Sequence, residues 1–227
     1  REDDHYLVNG TKIWTTAAHW SDWCLLLVRT NSEGPKHQGI TILLLDMKSP
    51  GIELRPIVGL DGMHSLNQMF LNDVRIPISN RIGEENDGWG VMRTFLGNER
   101  VSAAGIGKCK AFFERLRLIA GDTTWREGNL LDSPRFRDRM AWLHIQIRAL
   151  DGILRSIVDE PEAATSPEAC ALKLRGTQVQ QELLAMISEA AGYYGLPFEP
   201  DRLRDPGFAE PVGPYFAPPS TPYYLFW

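Results

Sequence analysis

The amino-acid sequence predicts an α+β protein, with a partial antiparallel β-domain of sandwich or barrel type over residues 1–84 and a truncated α-helical up-and-down bundle over residues 85–227. In the first part, short runs of apolar and β-branched residues alternate with turn clusters, and no helical period separates them. From Gly88 onward, apolar residues recur at the spacing of amphipathic helices. Strands followed by helices are typical of the α+β class.

The predicted strands begin in the segment HYLVNGTKIWTT at residues 5–16. Its Asn9-Gly10 pair lies between strand-forming residues and therefore predicts a two-residue hairpin turn. Further strands are predicted in the runs CLLLVRT, GITILLLDM, GIELRPI and NQMFLNDVRI. The segments between these runs, such as KSPG and GLDGMHS, are rich in turn-forming residues.

Three amphipathic helices are predicted after Gly88. The first carries an apolar stripe formed by Met92, Phe95, Leu96, Ala103 and Ile106. The second begins at Ser133-Pro134, and the third runs from Ser166-Pro167 to Gly192. Serine followed by proline is typical of a helix start, and glycine of a helix end. Helices of this length with apolar stripes are expected to pack as an antiparallel bundle.

Composition and charge exclude several classes of function. The net charge is −5 with acidic and basic residues interleaved, so no nucleic-acid surface is predicted. No apolar run approaches the roughly 20 residues that cross a bilayer. Three widely spaced cysteines indicate reduced thiols in the cytoplasm, and the five histidines lack metal-ligand spacing. The terminal aromatic run TPYYLFW leads us to expect a fragment of a longer protein.

Glu99 is the first candidate for chemistry. The stripe of the first predicted helix passes through it, which places its carboxylate on the apolar face. Burying a carboxyl group disfavours its charge, and this is how a glutamate becomes a base near neutral pH. A structural acid paired with an arginine of another helix explains the position equally well. Small residues between positions 102 and 107 permit a ligand or a second backbone to come close, which slightly favours a site.

Trp14, Thr15 and Thr16 are the second candidate. Strand alternation puts Trp14 and Thr16 on one face and Thr15 on the other. A flat aromatic cofactor could lie against the indole while hydroxyl or backbone N–H groups meet its polar edge. Aromatic-rich strands are more often ordinary core, so the pattern alone does not decide between the two explanations.

Four segments in this order resemble the acyl-coenzyme A dehydrogenases: NGTKIWTT, GITILLLDM with GIELRPI, HSLNQMFLNDVRIP, and IGEENDGWGVMRTFLGNER. The resemblance is dense over residues 6–108 and looser beyond residue 133. It points to the branch that includes the large subunit of pimeloyl-CoA dehydrogenase, which has a similar His-x-x-Asn-x-x-Phe motif, here His64, Asn67 and Phe70.

The resemblance implies an N-terminal helical domain, a middle β-domain and a C-terminal bundle, with FAD bound between the last two. It implies that Trp14, Thr15 and Thr16 lie along the flavin. Glu99 would remove the α-proton of an acyl-CoA while the β-hydrogen leaves as hydride to the flavin, with Arg100 near the thioester. An electron-transfer flavoprotein as electron acceptor and a homo- or heterotetramer are further implications.

The chain also departs from the family pattern. The segment that caps the flavin would precede Arg1, and a C-terminal segment that contacts FAD would follow Trp227. Some relatives keep their base in that C-terminal segment, so Glu99 is one of two alternatives. Many relatives have an Arg-x-x-Phe-Gly motif after the first helix of the bundle, and in this chain the corresponding segment is TTWREGNLLDS, which has no Phe-Gly. An acyl-CoA oxidase and a non-catalytic partner subunit remain alternatives to a dehydrogenase.

Overall fold

The computed structural model describes residues 1–160, 164–199, 201, 205, 213–214, 216–217 and 224–225. Antiparallel sheets are followed by helices, which confirms the predicted α+β class. The chain forms two compact units. The β unit comprises Arg1–Gly59 and Met63–Phe95, and the helical unit comprises Leu60–Gly62 and Leu96–Trp227.

Six strands build the β unit. In chain order they are β1 (His5–Thr16), β2 (Trp23–Arg29), β3 (Ile40–Asp46), β4 (Ile52–Val58), β5 (His64–Pro77) and β6 (Arg81–Ile82). One sheet has the order β1-β5-β4 and the other β2-β3-β6, and every pairing is antiparallel. Side chains of both sheets, among them Met69 and Leu71 of β5 and Leu26 and Leu43 of the second sheet, share one core. Two sheets that face each other across a common core form a sandwich.

The hairpin predicted at Asn9-Gly10 is wrong, because β1 continues through both residues as one strand. Its pairing with β5 shifts register between Val8 and Gly10. There β5 has an extra residue, and Asp73 adopts a left-handed φ of +51°. Asn9 accepts a hydrogen bond from the Asp73 N–H and donates one to the Asp73 carboxylate, both 2.9 Å long. These bonds hold Asn9 against the neighbouring strand, so it does not form the tip of a turn.

The helices are α1 (Gly88–Ala103), α2 (Ile106–Asp122), α3 (Pro134–Asp159) and α4 (Pro167–Ala191), and a short hairpin of β7 (Thr124–Trp125) and β8 (Gly128–Asn129) follows α2. The predicted starts of α3 and α4 are confirmed, and Gly192 directly follows α4 with a φ of +56°. α2, α3 and α4 pack against one another around a shared apolar core. Among the described helices, none is both long and apolar enough to cross a bilayer.

The first predicted helix is in fact two helices, and the division lies at Ala104 and Gly105. Gly105 has φ 61° and ψ 36°, a left-handed conformation that ends the helical path before Ile106. α4 packs closely here: a Cβ on Gly176 would lie 2.2 Å from the Ala104 carbonyl oxygen. The buried Gln180 donates a hydrogen bond to the same oxygen at 3.1 Å. The break between α1 and α2 is therefore fixed by its contact with α4.

Candidate active site

Trp14 lies in a β-bulge near the end of β1. The register shifts between Lys12, opposite Met69, and Thr15, opposite Asn67, so β1 has one residue more than β5 at this point. Trp14 has a φ of +62°. For a bulky side chain this left-handed conformation is strained by on the order of 1–3 kcal/mol, and it persists only where neighbouring contacts hold it.

The bulge presents the side chains of Trp14 and Thr16 to solvent. The Trp14 indole is 61% exposed, Thr16 is exposed, and Thr15 is partly buried. In the part of the chain that the structure describes, neither threonine hydroxyl has a hydrogen-bond partner. An exposed flat ring followed in the chain by two threonines can offer a stacking face and hydrogen bonds to a planar polar ligand.

Asn67, His64 and His19 lie next to the bulge and were not predicted as site residues. Asn67 is fully buried. Its amide group is 2.8 Å from Nε2 of His64, 3.1 Å from the Thr15 carbonyl oxygen and 3.1 Å from Nδ1 of His19. The two imidazole rings stack with centroids 3.8 Å apart and planes 17° apart. A partly buried polar network centred on Asn67 therefore contacts the backbone of the candidate site.

Glu99 lies near the end of α1, and its side chain is exposed, so the predicted burial on an apolar stripe is wrong. The buried side of this part of α1 is marked by Gly97, where an added Cβ would lie 3.0 Å from Cγ2 of Thr165. Glu99 follows Gly97 by two residues, a rotation of roughly 200° around the helix. It therefore faces away from this contact. Phe95, another member of the predicted stripe, is also exposed.

Arg100 is partly buried and lies in the last turn of α1, where the helix dipole favours a cation. Glu99 and Arg100 belong to the helical unit, whereas Trp14, Thr15 and Thr16 belong to the β unit. Their roles at one active site stay a prediction.

A cavity of about 580 Å³ lies beside the end of α1 in the helical unit. Its wall includes Asn98 and Ser102 of α1, Lys108 of α2 and Leu154 of α3. Asn98 and Ser102 flank Glu99 in sequence and share a face of the helix, since they are four residues apart. The side chains on this face of α1, rather than Glu99, form the cavity wall.

Two displaced pKa values report on pairing and burial elsewhere in the chain. The Tyr6 hydroxyl donates a hydrogen bond to the Glu85 carboxylate at 2.7 Å and lowers the pKa of Glu85, with a smaller contribution from Arg1. Burial raises the pKa of the Cys109 thiol to about 11. A thiol of this kind is almost wholly protonated at neutral pH and unreactive.

Comparison with known proteins assigns both parts of the chain. Residues 1–74 match the acyl-CoA dehydrogenase middle domain, and residues 86–209 match the acyl-CoA dehydrogenase C-terminal domain. The chain belongs to the acyl-CoA dehydrogenase family.

Individual relatives agree with this assignment. The chain is 34% identical over 201 residues to the acyl-CoA dehydrogenase FadE29 of Mycobacterium tuberculosis, covering 88% of this chain and 52% of FadE29. The ChsE4-ChsE5 complex of Mycobacterium tuberculosis is similar in structure, with a TM-score of 0.76 and 28% identity over 100% of this chain and 57% of that one. The Tcur3481-Tcur3483 steroid ACAD has a TM-score of 0.77 and 26% identity, covering 100% of this chain and 55% of that one. The chain thus spans about half the length of these relatives.

Proposed function

We propose that the full-length protein is an FAD-dependent acyl-CoA dehydrogenase that oxidises the Cα–Cβ bond of an acyl-CoA thioester. Membership of the family supports this proposal, and the observation that carries it is the strained bulge at Trp14. The exposed Trp14 indole, with Thr15 and Thr16 following it in the chain, suits the face and the polar edge of a flavin. The residues present therefore fit the cofactor that the family implies.

FAD, when bound, supplies the acceptor for the hydride that leaves the β-carbon. The chain supplies the surroundings of that reaction. Trp14 would cover part of the bound cofactor and exclude water from it, and Thr15 and Thr16 would offer it hydrogen bonds. Glu99 takes the α-proton, and the neighbouring Arg100 favours the negative charge that develops on the thioester oxygen.

The exposure of Glu99 sets a condition on its role as base. A carboxylate in bulk water is strongly solvated, and removing this water raises its affinity for a proton. We therefore propose that the bound thioester displaces water from Glu99, so that the base is formed only with substrate in place. In the absence of substrate, the exposed Glu99 side chain leaves room for the acyl chain to enter.

A second candidate function is a non-catalytic partner subunit of a heterotetramer. Two observations favour it: Glu99 is exposed, and the two similar structures are each named as a pair of proteins. In the first proposal the assembly is a homo- or heterotetramer in the cytoplasm that passes electrons to an electron-transfer flavoprotein. One similar structure is called a steroid ACAD, so a steroid-linked acyl-CoA is the first substrate class to test.

The test is anaerobic mixing of the purified full-length protein, with any co-purifying partner chain, with straight-chain and steroid-linked acyl-CoA thioesters. Bleaching of the flavin absorbance together with an enoyl-CoA product supports the dehydrogenase. A protein that carries no flavin and yields no product contradicts it and favours the partner subunit. Exposing the reduced protein to air separates an oxidase, which reoxidises rapidly, from a dehydrogenase, which does so slowly.

A further inference from the structure

We infer that His64, Asn67 and His19 form a hydrogen-bonded clamp that holds the Trp14–Thr16 bulge in its strained conformation, and that Asn67 and His64 are positioning residues for the flavin. The second half of this inference rests on the proposed function. The first half concerns only the conformation of the β unit and can be tested without a cofactor.

The orientation of the Asn67 amide follows from its partners. The Thr15 carbonyl can only accept a hydrogen bond, so Nδ2 of Asn67 must face it and donate. Oδ1 then faces His64, whose Nε2 must carry a hydrogen and donate to it. Nδ2 also points at Nδ1 of His19, which must therefore be unprotonated and accept. Both Nδ2 hydrogens and one lone pair of Oδ1 are used in this arrangement.

A second bulge brings His64 and Asn67 together. Residues three apart on a regular strand point to opposite faces. Between the pairs Ile57–Leu66 and Val58–His64 the register shifts, so β5 carries one extra residue, Ser65. Because of this extra residue, the His64 side chain points to the same face of the strand as Asn67. The two side chains can therefore form their 2.8 Å hydrogen bond.

Hydrogen bonds fix the backbone on both sides of Thr16, and the clamp supplies the one at Thr15. Asn67 holds the Thr15 carbonyl, and the Ser65 carbonyl accepts a hydrogen bond from the Ala17 N–H at 2.9 Å. Ala17 also has a left-handed φ of +56°, like Trp14 at +62°. Two strained residues thus lie within four positions. Within the described structure, the backbone of these four positions receives one side-chain hydrogen bond from a residue distant in sequence, and it runs from Asn67 to the Thr15 carbonyl. Losing that bond loosens the backbone next to Trp14 and with it the orientation of the indole.

The experiment uses the full-length protein and two readouts. Hydrogen–deuterium exchange of the segment around Ala17 measures the bulge in the flavin-free protein. The visible spectrum and the dissociation constant of FAD measure its effect on the cofactor. Asn67→Ala removes the amide, and His64→Phe keeps a ring to stack on His19 but removes the donor.

Two further variants serve as controls. His64→Gln retains a side-chain N–H for Asn67 and is expected to restore most of the protection. Gln68→Ala truncates an amide next to Asn67 that makes no side-chain hydrogen bond within the described residues, and it is expected to behave as the wild type. Thermal unfolding of each variant shows whether it has folded. If Asn67→Ala fails to fold, the exchange and FAD binding of His64→Phe test the clamp.

We expect exchange around Ala17 to rise at least about tenfold in Asn67→Ala and His64→Phe, with FAD binding weakened by about tenfold and its spectrum shifted. Unchanged exchange in both variants would overturn the clamp. Faster exchange with unchanged FAD affinity and spectrum would overturn the positioning role. If the wild type binds no FAD while exchange responds as expected, the clamp stands and the proposed function fails.

Discussion

Gly176 controls how closely α4 approaches the junction of α1 and α2, and Gly176→Ala tests this packing. The added Cβ would lie 2.2 Å from the Ala104 carbonyl oxygen and about 3 Å from two further backbone atoms of Ala104. Because these atoms are backbone, a side-chain rotation cannot relieve the clash. α4 must move by about 1 Å, a displacement of the kind that overpacking imposes on a core.

The cost of this movement can be worked out from the contacts. Overpacking costs about 1–3 kcal/mol, and loss of the 3.1 Å bond from buried Gln180 to Ala104 adds about 1–3 kcal/mol. Replacing a helical glycine by alanine returns about 1 kcal/mol. We expect a net loss of about 3 kcal/mol in the free energy of unfolding.

Gly152→Ala is the matched control. Gly152 lies within α3, and an added Cβ there would meet no atom within 4 Å. The variant should gain about 1 kcal/mol from helix propensity alone. Urea unfolding followed by circular dichroism, at one protein concentration, compares both variants with the wild type. A Gly176→Ala protein as stable as Gly152→Ala would refute the close approach of α4.

Two further predictions concern titrating groups. At about pH 8 a thiol with a pKa of about 11 is roughly 0.1% thiolate, so iodoacetamide should modify the exposed Cys170 at least a hundredfold faster than the buried Cys109. Mass spectrometry of digests measures the two rates of modification, and equal rates would contradict the burial of Cys109. The pKa of Glu85 is lower in the folded state than its value of about 4.3 in the unfolded state, so its carboxylate stabilises the fold at pH values above that unfolded pKa. This stabilisation is lost as the pH falls through the pKa of the folded state. Glu85→Gln should therefore lower the melting temperature at neutral pH, and the difference in melting temperature from the wild type should become smaller in acid. A difference that does not change with pH would contradict this prediction.

The sequence predicted the features that depend on neighbouring residues. The Ser-Pro pairs at 133–134 and 166–167 mark the starts of α3 and α4, because capping and proline geometry act within one helical turn. The α+β order likewise follows from local periodicity.

Features that depend on distant partners were predicted wrongly or missed. Asn9-Gly10 has the composition of a turn, but Asp73 binds the Asn9 side chain across the sheet. Glu99 falls on an apolar stripe in sequence, but the helix packs through Gly97, which a count of apolar residues overlooks. His64 and Asn67 were recognised only as part of a family motif. Strand alternation puts residues three apart on opposite faces, and the extra residue in β5 that brings these two together is not visible in the sequence.

We propose that Glu99 is the base of an acyl-CoA dehydrogenase, and the rate of flavin reduction in Glu99→Gln tests this role. Glutamine keeps the size of the side chain and removes the proton acceptor. Glu114→Gln, an exposed glutamate of α2 paired with Arg117, is the control. We predict that anaerobic flavin bleaching by a saturating acyl-CoA slows by about 10²–10⁴-fold in Glu99→Gln and stays unchanged in the control. Bleaching by Glu99→Gln at the wild-type rate would show that Glu99 is not the base.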